Sequence, residues 1–88
     1  GTTVTSIKSL DTAAKSYQSQ KGMYNTIQGY LRQLENYSPK GIVRNAQFKE
    51  LELAIPNIKL NADQIKALEQ AKNYAAKANL KFKITVVK

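Results

Sequence analysis

Cysteine and histidine are both absent from the 88 residues. Their absence removes disulfides, thiolate zinc sites, Cys–His nucleophile pairs and histidine general bases at once. Acidic residues are scarce as well, six against 14 lysines and arginines. Any metal would need oxygen ligands from Asp11, Glu35, Glu50, Glu52, Asp63 and Glu69, and no two of these make a recognisable ligand motif. No apolar run approaches the roughly 18 residues that span a bilayer, and no charged leader precedes an apolar segment. We expect neither membrane insertion by this segment nor an intact secretion signal. Internal repeats, heptad arrays and low-complexity stretches are missing too.

What is there suits one small domain. The hydrophobic fraction of 42% is ordinary for a folded chain and excludes wholesale disorder. A net charge of +8 is large for this length and favours an anionic partner: nucleic acid, an acidic protein or an anionic surface.

The stretch around which the chain is organised is Val4-Thr5-Ser6-Ile7-Lys8-Ser9-Leu10-Asp11. β-Branched residues and strict alternation predict a strand, with Val4, Ser6, Lys8 and Leu10 on one face and Thr5, Ile7 and Ser9 on the other. A lysine between Val4 and Leu10 needs a reason, because burying an unpaired ammonium costs several kcal/mol, on the order of the penalty for any desolvated charge. Two readings stand. Lys8 is catalytic at a cleft with Ser6 beside it, or the strand lies at an edge and Lys8 reaches into water.

A polar passage follows, read as a loop or short helical turn through Ala13-Ala14-Lys15. Ser19 then caps a helix over about 20–37, with Met23, Tyr24, Ile27, Tyr30, Leu31 and Leu34 on its buried face. Gly22 and Gly29 weaken this helix by about 1 kcal/mol each, which points to a close backbone approach at Gly29. Tyr37-Ser38-Pro39-Lys40-Gly41 stops it. Residues 42–47 read as a short strand turning at Asn45. Residues 48–56 alternate, with Leu51, Leu53 and Ile55 inward and Glu50 and Glu52 outward. Asn61 and Gln64 make a capping-box pattern for a second helix, whose expected stripe is Ile65, Leu68, Ala71, Ala75 and Ala78, with Asn79 at its end. Phe82, Ile84 and Val86 mark one face of a last strand. The order β, α, (β), β, α, β predicts an α/β fold with a mixed sheet flanked by helices.

Lys15, Lys21, Lys40 and Arg44 sit where they would flank one end of such a sheet and contact phosphates, although a solvated basic surface accounts for them equally well. The five tyrosines have the spacing of core or rim packing more than of base stacking. Glu50 and Glu52 suit a solvent face better than a metal.

Four segments together, Thr5-Ser6-Ile7-Lys8-Ser9-Leu10-Asp11-Thr12, Met23-Tyr24-Asn25-Thr26-Ile27-Gln28-Gly29-Tyr30, Glu50-Leu51-Glu52-Leu53-Ala54-Ile55-Pro56 and Leu80-Lys81-Phe82-Lys83-Ile84-Thr85-Val86-Val87, resemble the C-terminal toxin nuclease domains of CdiA-type contact-dependent growth inhibition proteins. The resemblance implies a restriction-endonuclease-like fold of the PD-(D/E)XK superfamily and cleavage of DNA with a divalent metal, zinc foremost. It also implies export at the end of a large surface protein, action in the cytoplasm of a neighbouring bacterium, and a cognate immunity protein. In that family Ser-x-Lys replaces acidic-x-Lys, which places Ser6 and Lys8 in the catalytic roles: Lys8 stabilising charge on the phosphate or attacking hydroxide, Ser6 arranging the metal or its water. The family's acidic ligands lie before this strand. The resemblance therefore implies that residues 1–88 are the C-terminal portion of one nuclease domain, its N-terminal part missing, inactive or crippled alone and without a metal ligand of its own. The family also implies a hairpin donated to the immunity protein's sheet, here residues 42–48 with Ile42, Val43, Arg44 and Asn45. A non-catalytic basic module that binds nucleic acid or an acidic protein is the alternative, and an RNA-cleaving toxin of the same delivery system is a third reading.

Overall fold

The computed structural model describes residues 3–37 and 48–87. Expectations for residues 38–47, including the short strand, the hairpin residues Ile42, Val43, Arg44 and Asn45, and the basic residues Lys40 and Arg44, lie outside this range.

Three strands form the sheet: β1 (Thr3–Ser9), β2 (Phe48–Pro56) and β3 (Lys81–Val87). They lie in the order β1-β2-β3, and both pairings are parallel. Each parallel step needs a crossover, supplied by α1 (Gln20–Glu35) and α2 (Ala62–Lys77). The two crossovers step in the same direction, so their shared right-handedness puts both helices on one face, where they pack against each other.

Register decides what that covered face holds. Ser6 is level with Leu51, and Lys8 with Leu53 and, across β2, with Ile84. Leu51, Leu53 and Ile55 are buried under Met23, Ile27, Leu31 and Leu34 of α1 and Ala67, Leu68, Ala71 and Ala75 of α2. Each large side chain so buried contributes about 1.5–3 kcal/mol. The opposite face is covered by neither helix. It carries exposed Ile7, Glu50, and Glu52 with its carboxylate 3.6 Å from Lys83 Nζ.

Both helices start at the caps that their sequences offer. Ser19 accepts a bond from the Gly22 amide at 3.1 Å. Asn61 accepts from the Gln64 amide at 2.7 Å while the Gln64 side chain accepts from the Asn61 amide at 2.9 Å, a complete capping box. α2 ends in a Schellman turn. Asn79 takes the left-handed conformation at φ 59°, the Leu80 amide bonds to Ala75 O at 2.7 Å, and Leu80 is buried beneath.

Three expectations are corrected. Ile65 is about half exposed and Gln64 takes the inward position on α2, 2% exposed. Its side-chain amide donates to Thr12 O and Tyr17 O, both at 2.8 Å, so hydrogen bonds seat a polar group where periodicity alone expects an apolar one. The close approach in α1 is at Gly22, where a Cβ would strike Ser16 O, whereas Gly29 is open to solvent. Finally, α1 closes at Glu35 rather than Tyr37, because Lys49 Nζ takes up Glu35 O and Tyr37 O at 2.9 Å each.

A candidate active-site cleft between β1 and α1

β1 is an edge strand among the described residues, and its covered face is not sealed as that of β2 is. Val4, Thr5, Ser6 and Lys8 of β1 and Gln33, Leu34 and Tyr37 at the end of α1 line a cleft of about 300 Å³. The strand period places Ser6 and Lys8 on one side of the pleat, roughly 6.6 Å apart along the chain. The edge position and the catalytic position thus coincide. Lys8 is half-buried and lines the cleft.

The ammonium has a distinctive environment. Lys8 Nζ lies 5.6 Å from the centre of the Tyr30 ring, and among the described residues no carboxylate pairs with it. The Ser6 hydroxyl likewise has no hydrogen-bond partner among the described residues. Among the described residues, one cation and one hydroxyl are therefore presented together without a polar partner, an arrangement that suits an anion and a water.

Lys15 and Lys21 do not join them. Lys15 lies in the short 3₁₀ turn (Lys15–Tyr17) after β1, and Lys21 in the first turn of α1. The twelve residues between Lys21 and Gln33 set Lys21 about 18 Å along the helix from the cleft. Lys21 instead borders a hollow with Ser19, Tyr24, Asp63 and Gln70.

Sequence reading missed Gln33, Tyr37 and the pairing of Tyr30 with Lys8. Tyr30 carried the usable signal, since an aromatic at the core margin of a helix that crosses over a strand lysine is placed to meet it. At the same end of α1, the Tyr74 hydroxyl donates to Glu35 Oε1 at 2.8 Å and ties α2 to the helix end that walls the cleft. That hydrogen bond to a carboxylate pushes the Tyr74 pKa up. Among the described residues no three acidic side chains converge.

The model of the CDI toxin restriction endonuclease-like domain matches residues 1–85. A chain of the CdiA-CT/CdiI toxin and immunity complex from Yersinia pseudotuberculosis has a similar structure, with a TM-score of 0.77 at 27% identity, over 98% of this chain and 74% of that one. No curated protein matches the sequence.

Proposed function

The chain belongs to the CDI toxin restriction endonuclease-like domain family, and from that premise we propose that it is a DNA endonuclease toxin held in check by a cognate immunity protein. The observation that carries the reading is the pair Ser6 and Lys8, set side by side in an open cleft beside the apolar core. In this reading Lys8 stabilises the negative charge that builds on the scissile phosphate, and Ser6 orients the attacking water. A divalent metal, zinc first, is the expected cofactor, with its acidic ligands supplied before Gly1.

The basic surface serves two partners in turn. DNA is drawn in by the net charge of +8, with Lys15, Lys21, Lys40 and Arg44 as phosphate contacts. An acidic immunity protein meets the same charge, with Ile42, Val43, Arg44 and Asn45 as its contacts. We place the domain at the end of an exported surface protein and its action in the cytoplasm of the target bacterium. Among the described residues no helix is long and apolar enough to cross a membrane.

The test is plasmid cleavage by a longer toxin domain carrying the native sequence before Gly1, with zinc, magnesium or chelator, beside its Lys8→Ala variant. Metal-dependent cutting that disappears in the variant is the expected result. Absence of cutting under every metal, with DNA binding intact, would overturn the enzyme in favour of a basic binding module.

A further inference from the structure

We propose that Tyr30 is a positioning residue for Lys8, holding its ammonium at the cleft through the face of its ring. The proposal rests on the reading of Lys8 as the charge-stabilising group. Its physical basis is the kind of partner the lysine has. A flexible four-carbon stem lets an ammonium sweep a wide volume, so a lysine that must meet a phosphate at one place needs a tether. A carboxylate would tether it and also cancel its field. An aromatic ring attracts the cation through its quadrupole and leaves the full positive charge to act on an anion.

The structure presents this second arrangement. Lys8 Nζ is 5.6 Å from the Tyr30 ring centre, within cation–π range. The ring itself is held, because Tyr30 is partly buried and packs against the core cluster one helical turn from buried Ile27 and Leu34. Gln33 and Leu34, three and four positions on, line the cleft. The ring therefore packs against the core one helical turn before the cleft-lining residues of α1, with the Lys8 ammonium over it. Among the described residues the Tyr30 hydroxyl has no hydrogen-bond partner, so the ring rather than the hydroxyl is the working part.

Two measurements on the longer toxin domain test this. The first is NMR of the Lys8 side chain, assigned by its loss in Lys8→Ala. Its ε-methylene signals are expected upfield of free lysine in the wild type and in Tyr30→Phe, and back at the free position in Tyr30→Leu. The second is plasmid cleavage, expected to fall about tenfold in Tyr30→Leu and to be restored to within about twofold in Tyr30→Phe, thermal melts confirming that each variant folds. Wild-type ε-methylene signals at the free-lysine position would overturn the proposal whatever the cleavage result. So would Tyr30→Leu cutting as fast as Tyr30→Phe. Wild-type cutting by Lys8→Ala would instead overturn the role given to Lys8, and the NMR signal alone would then decide whether the ring holds the lysine.

Discussion

β1 and β2 run side by side in register under the same helices, yet they use the covered face in opposite ways. Leu51 and Leu53 are fully buried, whereas their neighbours Ser6 and Lys8 are half-buried and polar. Position in the sheet separates them. A central strand is flanked on both sides, so a charge on its inner face sits at the strand's end and is bonded, as Lys49 is to Glu35 O and Tyr37 O. An edge strand has one flank through which a long side chain stays hydrated. Gln64 gives the third case: it is as buried as Leu53, and its side-chain amide is tolerated because two backbone carbonyls accept from it. A polar group on the inner face is thus either fully bonded, and holds the fold, or left open at the edge, where it is available for chemistry.

The sharpest way to break this contrast is to truncate its two level residues. Lys8→Ala should lower DNA cleavage by about 10²- to 10³-fold and leave unfolding in urea within about 0.5 kcal/mol of wild type. Leu53→Ala should cost about 2–5 kcal/mol in the same urea experiment. A Lys8→Ala protein as unstable as Leu53→Ala would make Lys8 a structural residue. Next in size, Gln64→Leu keeps the volume but leaves Thr12 O and Tyr17 O without their donor, and should cost about 1–3 kcal/mol. A neutral result would show that the inner face accepts apolar groups at any position.

The roof offers smaller effects. Gly29→Ala should raise stability by about 0.5–1 kcal/mol, since the site is open and helical, whereas Gly22→Ala should lower it because of the clash with Ser16 O. The reverse order in thermal melts would misplace the β1–α1 connection. The smallest effect concerns Tyr74. Its neutral phenol is the form bonded to Glu35, and its pKa is raised above the usual 10.0. The stabilisation is therefore fully present below the unfolded value and is lost as pH rises through the higher folded one. Glu35→Gln should bring the ionisation of Tyr74 back down in an ultraviolet titration. An unchanged titration would mean that the bond does not hold the roof.

Much of this architecture was legible because local signals and tertiary packing agree. The alternation of 4–10, the Ser19 cap, the Asn61–Gln64 capping box and the Asn79 stop each specify their element within a few residues of sequence. The phase of α2 was not, because Gln64 faces inward for carbonyls about fifty positions away, and no periodicity encodes that. Gly29 misled for a related reason: two glycines in one helix look alike until the 3₁₀ turn is seen to pass over only one of them. At the site, the strand period placed Ser6 and Lys8 together. The cleft's other wall depends on how α1 lies across β1, which the chain fixes through contacts distant in sequence.

The Gln64 clamp also imposes an order in time. Its acceptors, the carbonyls of residues 12 and 17, belong to the connection that sets how α1 is offset from β1, and so how the two walls of the cleft face each other. As the chain leaves the ribosome, both walls exist well before their clamp does. A nascent chain that ends short of residue 64 holds Ser6, Lys8 and Tyr30 without the bond that fixes the walls. Among the described residues, α2 contributes no side chain lining the cleft and yet acts as its latch, delaying assembly of the site until that helix has been made.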